Sequence, residues 1–200
     1  MVSPVGVITI RVFKPKCVTS KRSTKAYEST MHLRQVRPDE VSLVANVLTS
    51  AAANLAKEGN ELWDAREVNE SAVSEHVRAG MYYAAFDADG PVGVFRFQMQ
   101  DHLFWPEVPD GSSAFVHKIA VYPHKQGRDI SYALLQHAYK LTQQHSRQFL
   151  RLDCISERPK LRAIYERFGF RHHSVKSLGE RVFDRFELEI KDAIAKSPRQ

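Results

Sequence analysis

From residue 32 onward the spacing of apolar side chains switches between the strand period of two and the helical period of about 3.6. His32–Val36 predicts a strand. Pro38, Asp39 and Glu40 form a helix start, and Val41, Val44, Leu48, Ala51 and Leu55 then repeat at helical spacing. A loop over 59–68 carries Trp63, Glu61, Asp64 and Glu67, and a short helix follows over 69–79. Met81–Phe86 and Val92–Gln98 read as a hairpin whose turn holds Asp89 and Gly90. A second loop, aromatic and acidic, runs from Asp101 to Ser113.

The second half repeats the alternation more regularly. Phe115–Val121 is a strand, and 129–144 a helix with Ile130, Leu134, Leu135, Ala138 and Leu141 on one face. Phe149–Cys154 is the next strand, which completes a βαβ unit with an expected right-handed crossover. Pro159 opens a helix in which Leu161, Ile164, Tyr165 and Phe168 share a stripe, and Gly169 ends it. Strands at 171–176 and 182–190 close the pattern. The expected class is α/β, with one domain over 32–190 and about seven strands in a mixed central sheet.

Composition narrows this picture. Two hundred residues, 43% of them apolar, suffice for one compact core. No apolar run approaches the ~20 residues of a membrane span. Cys17 and Cys154 are too few for a disulfide framework or a thiolate metal site, so a reducing, cytoplasmic setting is expected. The net charge of +6 suggests nucleic acid until it is located. Residues 1–31 hold Arg11, Lys14, Lys16, Lys21, Arg22 and Lys25 against Glu28 alone, so the domain behind them is nearly neutral and a nucleic-acid role is not favoured.

That first segment reads as a flexible basic N-terminal extension containing a short β-like run, Val7–Phe13. It also has the base-rich, acid-poor composition of an organelle transit peptide, and Met31 is a candidate start. Residues 191–200 read as a polar tail.

The candidate chemistry lies between 119 and 135. A strand, a Pro-marked turn and the basic, Gly-containing loop Lys125-Gln126-Gly127-Arg128 stand directly before a helix. Unpartnered N–H groups at a helix N-terminus carry the positive end of its dipole and can grip a diphosphate. Many βα turns carry a Gly and a base for turn geometry alone, so the loop by itself leaves both readings open.

Val121, Pro123, Gln126, Gly127, Arg128, Ile130, Leu134 and Leu135 stand at the offsets of a known pattern. It is a strand ending Val-x-Pro, a Gly-rich phosphate loop and a Leu-Leu pair, and it resembles the GNAT superfamily of N-acetyltransferases. Leu150–Cys154 followed by Glu157–Phe170, with Tyr165 shortly before Gly169-Phe170, is similar to the same superfamily.

The resemblance implies the GNAT (acyl-CoA N-acyltransferase) fold, with helices on both faces of the sheet and the strands at 115–121 and 149–154 splayed. It implies acetyl-CoA as co-substrate, no metal, and acyl transfer to a primary amine by direct attack in a ternary complex. The acceptor is a small molecule or a protein or peptide amine. Backbone groups of Ile119, Ala120 and Val121 would hold the pantetheine arm, Gln126, Gly127, Arg128, Asp129, Ile130 and Ser131 the diphosphate, and Tyr165 would protonate the departing thiolate. Dimerisation is common in this fold, and nothing in the sequence decides it.

Three positions depart from the pattern. Asp129 stands where it has Gly, Ser131 where it has Gly or Ala, and Arg158 where it often has an Asn on the pantetheine arm; Arg158 could instead reach a CoA phosphate. A carboxylate capping the helix inward ~5 Å from a phosphate would cost on the order of 3 kcal/mol at an effective dielectric near 20. The alternative function is therefore a catalytically impaired CoA-binding or regulatory module.

His117 could serve as a general base, or be an ordinary strand histidine. Trp63, Phe104 and Trp105, with Glu61, Asp64, Asp101 and Glu107, could form a pocket for a cationic amine or cover the core as lids. His172 and His173 are neighbours on a strand and face opposite sides, which makes them poor joint metal ligands.

Overall fold

The computed structural model describes residues 8–11, 30–127 and 129–191. Arg128, Cys17, the rest of the N-terminal extension and nearly all of the C-terminal tail lie outside the described residues. The elements are β1 (Ile8–Arg11), β2 (Thr30–Gln35), α1 (Val41–Lys57), α2 (Glu70–Arg78), β3 (Tyr82–Asp87), β4 (Gly90–Gln98) and β5 (Ser113–Val121), followed by α3 (Ile130–Gln144), β6 (Phe149–Ile155), α4 (Pro159–Phe168), β7 (Arg171–Leu178) and β8 (Arg181–Glu189). The strands run in the order β1-β2-β3-β4-β5-β6-β8-β7. Every strand and helix expected from the periodicity is present, and β1 is added. It falls inside the β-like run and pairs antiparallel with β2, Ile8 opposite Leu33 and Arg11 opposite Thr30. Among the described residues no helix is long and apolar enough to cross a membrane.

The chain divides into two compact units: Met1–Val94 with Ala120–Leu134, and Phe95–Ile119 with Leu135–Gln200. In the first, the stripe Val44, Val47, Leu48 and Ala51 of α1 packs with Val73 and Val77 of α2 on Tyr82, Ala84 and Phe86, which alternate along one face of β3. Helix α1 begins at Val41, three residues after Pro38. The reason is local: the Glu40 carboxylate, which could otherwise cap the helix, takes both terminal nitrogens of Arg34 (2.7 and 2.8 Å) and the Arg37 N–H (2.8 Å). In α2 the Asn69 side chain does cap, accepting from Ala72 N at 2.9 Å.

In the second unit β6 is paired along its length with β8, from Phe149 opposite Glu189 to Ile155 opposite Phe183. On its other edge it pairs parallel with β5 at only three positions, Ser113, Ala114 and Phe115 opposite Phe149, Leu150 and Arg151. Lys118, in the middle of β5, has φ of 50°, a left-handed conformation that turns a strand out of the ladder. Beneath β6 and β8, Tyr165 of α4 packs against Phe170 and Phe186, with ring centroids 6.1 and 5.9 Å away.

Candidate active site

The segment from Ala120 to Ile130 is a strand end, one turn of 3-10 helix over Pro123–Lys125, a tight loop and the start of α3. Two of its residues are left-handed, Gly127 with φ of 75° and Asp129 with φ of 56°. Aspartate is one of the few side chains that tolerates this region, which explains how it stands at a glycine position. The Asp129 carbonyl accepts from Ala133 N at 3.0 Å, so Asp129 is the N-terminal boundary residue of α3. Its side chain is exposed and takes no hydrogen bond from a described residue, so among these the carboxylate caps no helix N–H. Gln126 and Gly127 are exposed as well, Ser131 is half-buried and Ile130 is buried. The Gln126 N–H donates to the Pro123 carbonyl at 3.3 Å, and the left-handed residues that follow it at the helix start form a backbone geometry able to receive an anion.

Gly93 of β4 brings this segment close. A Cβ there would lie 2.8 Å from the Ala120 carbonyl oxygen and 3.2 to 3.3 Å from Leu134 Cδ1 and Ile130 Cγ2. Lys125 is turned away from solvent. Its Nζ lies 2.7 Å from Asp87 Oδ2 and 2.9 Å from Asp89 Oδ2, and these two carboxylates hold the ammonium above the usual lysine range.

In the second unit β5 and β6 are out of register contact beyond Phe115 and Arg151. Ile119 is half-buried at the far end of β5, and Arg158, also half-buried, precedes α4. Tyr165 is buried, and burial, with Cys154 and Asp153 beside it, raises its phenol pKa well above the ordinary value of 10.0. It is a protonated donor at neutral pH. The neighbouring Cys154 thiol is pushed up to about 12 by burial and by Asp184 and Asp153, and so is no nucleophile.

A model of the acetyltransferase (GNAT) family matches residues 49–170, more than half of the sequence. The chain belongs to the GNAT acetyltransferase family. Solved structures agree in fold. A GNAT-family acetyltransferase from Listeria monocytogenes superposes with a TM-score of 0.67 at 20% identity, over 83% of this chain and 98% of that one. The yncA protein of Salmonella typhimurium, solved with its cofactor acetyl-CoA, gives 0.63 at 12% identity over 84% and 99%. The PaiA N-acetyltransferase from Thermoplasma acidophilum, solved in complex with coenzyme A, gives 0.61 at 13% over 78% and 97%. No curated protein matches the sequence.

Within this GNAT chain the first unit gathers Ala120, Val121, Gln126, Gly127, Asp129, Ile130 and Ser131 in one continuous segment, and the second holds Ile119, Arg158 and Tyr165. Arg128 lies outside the described residues. What the sequence did not reveal is the setting of His117. Its Nε2 is 3.2 Å from Asp101 Oδ2 and its Nδ1 3.2 Å from Asp153 Oδ1, with the Gln98 amide nitrogen also 3.2 Å from Nε2. The carboxylate contacts are ion-pair contacts rather than well-aligned hydrogen bonds. Burial alone would depress the imidazole pKa, but Asp101 and Asp153 overcome it and hold it above 6.5. His117 thus sits between two carboxylates that favour its charged form. The three groups offer ligand atoms within 4.8 Å of one another. Each ring nitrogen faces a different carboxylate, and Nε2 also faces the Gln98 amide.

The acidic loop residues are engaged in the same way. Glu107 pairs with Arg185 at 2.6 Å, and Asp64 takes Arg66 at 2.8 Å. Trp105 is buried, with the Arg185 and Arg151 guanidinium carbons 4.5 and 4.9 Å from its ring, and Trp63 packs on the core of the first unit. Trp105 and Trp63 thus act as covers over packed surface rather than as walls of an open acidic pocket.

Proposed function

We propose that the protein is an acetyl-CoA-dependent N-acetyltransferase acting on a primary amine. The observation that carries the reading is the exposed loop at the start of α3, where Gly127 and Asp129 keep the left-handed backbone of an anion cradle. The Asp129 carboxylate faces solvent, where an interaction over ~5 Å falls below about 1 kcal/mol at the dielectric of water. Nothing in its placement favours the impaired alternative. Relatives of this fold crystallised with acetyl-CoA and with coenzyme A support the same co-substrate here.

In this mechanism the amides of Gly127, Asp129, Ile130 and Ser131, together with Arg128, hold the diphosphate, and Gln126, whose own amide donates to the Pro123 carbonyl, contributes its side chain. Backbone groups of Ile119, Ala120 and Val121 orient the acyl-pantetheine arm, and Arg158 flanks it. The neutral amine attacks the thioester carbonyl directly, the carbon–sulfur bond breaks, Tyr165 gives its proton to the leaving thiolate, and the proton shed by the acylated nitrogen returns to the Tyr165 phenolate, directly or through water. Burial keeps the phenol protonated before the reaction but makes it a weak acid, so the transfer is drawn by the charge that develops on the thiolate. The chemistry requires no metal. The protein works in the cytoplasm on a small-molecule or peptide amine.

The test follows release of the CoA thiol from acetyl-CoA with a panel of primary amines, for the full chain and Tyr165→Phe. Amine-dependent release that falls about a hundredfold in the variant, with acetyl-CoA affinity retained, supports the mechanism. Release unchanged in Tyr165→Phe removes Tyr165 from it, and no release with any amine contradicts the reading.

A further inference from the structure

The loop at the start of α3 is tied to the β3–β4 hairpin at three places, all within the first unit. At its entrance Tyr122 N donates to the Val92 carbonyl at 3.0 Å. At its exit Ile130 and Leu134 close on Gly93, where no side chain stands between them. In its middle Lys125, only 8% exposed although it is a lysine beside an exposed loop, donates to Asp87 and Asp89 across the hairpin turn. Asp87 is itself preorganised, its Oδ1 accepting from Asp89 N at 2.9 Å. The inner carboxylate, Asp87, is nearly buried and Asp89 is open to water.

Lysine is usually found in solvent, and one in a phosphate loop would ordinarily point at the phosphate. Here the ammonium is taken up by two carboxylates on the protein's own turn. Resting on the reading that this loop binds the CoA diphosphate, we infer that Lys125 is a positioning residue. It straps the loop to the Asp87–Asp89 turn so that the amides of Gly127, Asp129, Ile130 and Ser131 stay aimed at the ligand, and it does not contact the phosphates. A cradle of backbone N–H groups works only while it is held in one geometry, and a strap on the residue before it provides that.

This role and a direct phosphate contact predict opposite signs. If Lys125 met the phosphate, neutralising Asp87 or Asp89 would free the cation and remove nearby negative charge, and binding would tighten. If Lys125 is a strap, losing either end loosens the loop and binding weakens. The experiment is calorimetric titration of acetyl-CoA into the full chain and into Lys125→Met, Lys125→Arg, Asp87→Asn, Asp89→Asn and the Lys125→Met, Asp87→Asn double variant.

The strap predicts affinity lowered at least about fivefold in Lys125→Met and Asp87→Asn, within the usual range of coupling between linked sites. The loss is smaller in Asp89→Asn, largely restored in Lys125→Arg, and no greater in the double variant than in either single one. Tighter or unchanged binding in the aspartate variants, or additive losses in the double, overturns the strap while leaving the cofactor assignment intact. Absence of binding by the unaltered chain overturns both. Asp89 is exposed, so Asp89→Asn keeps the comparison available if the buried variant does not fold.

Discussion

The two units of the chain build their chemistry from different materials. In the first, the segment from Ala120 to Ile130 is distinguished by its backbone: a glycine and an aspartate in left-handed conformation, a helix start, and a glycine on β4 that lets the segment close in. The charges nearby are bound inward, Lys125 to Asp87 and Asp89. In the second unit the groups are side chains, with His117 between two aspartates, Arg185 on Glu107, Arg151 on Glu187, and the two guanidinium groups over Trp105. A backbone site tolerates exchange of side chains that keep its φ and ψ. A buried ionic cluster tolerates almost none, because removing one member leaves another charge unpaired.

The largest test of that contrast is His117→Ala. It strands Asp101 and Asp153, both nearly buried, and should cost about 3 kcal/mol of folding stability by chemical denaturation. The pH profile sharpens it. Because the folded pKa of His117 lies above its ordinary 6.5, the bridge contributes fully below about pH 6.5 and loses its contribution as pH rises through that raised value. Asp101 is held below its ordinary 3.8, so its share is present above that value and fades as pH falls through the lowered one. The difference between the unaltered chain and His117→Ala should therefore shrink at alkaline pH and again in acid. A difference that is flat from pH 5 to 9 would break the ionic account.

Next in size is Gly93→Ala. Its Cβ would stand 2.8 Å from a backbone oxygen, which cannot move without the strand, so a loss of about 1–3 kcal/mol is expected. The acetyl-CoA affinity should fall with it. Stability lost with affinity kept would show that the loop is not held through Gly93. Smaller again is Lys118. Valine, β-branched at φ of 50°, should be about 1–2 kcal/mol less stable than glycine at the same position, and thermal denaturation of the two variants measures the pair. Equal effects would remove the strain argument for the turn in β5.

The difference between the units also explains what could be read from the sequence. Helix and strand positions follow from local period, and the turn and loop before α3 from local residues: Pro123, Gly127 and the apolar run from Ile130 lie within a dozen positions of one another. Helix α1 starts at Val41 rather than at Pro38, and the Glu40 carboxylate is claimed by Arg34, a partner on the preceding strand. The pairing of Lys125 is hidden for the same reason over a longer distance: its partners lie nearly forty residues earlier, in the turn Asp87-Ala88-Asp89-Gly90, which periodicity identifies only as a hairpin turn. His117 was a solitary histidine in sequence, because Asp101 and Asp153 join it only when β5, β6 and the loop after β4 are packed. The one local hint was the alternation of Arg151 and Asp153 along β6, charged residues on one face of an otherwise apolar strand.

The central claim, that an exposed backbone cradle rather than a charged side-chain cluster binds the cofactor, is tested most directly by calorimetric titration of acetyl-CoA into the full chain beside Asp129→Gly. The account predicts micromolar binding by both, tighter in the glycine variant by no more than about fivefold, since the exposed carboxylate contributes less than about 1 kcal/mol. Binding that appears only in Asp129→Gly, or in neither folded protein, would contradict it.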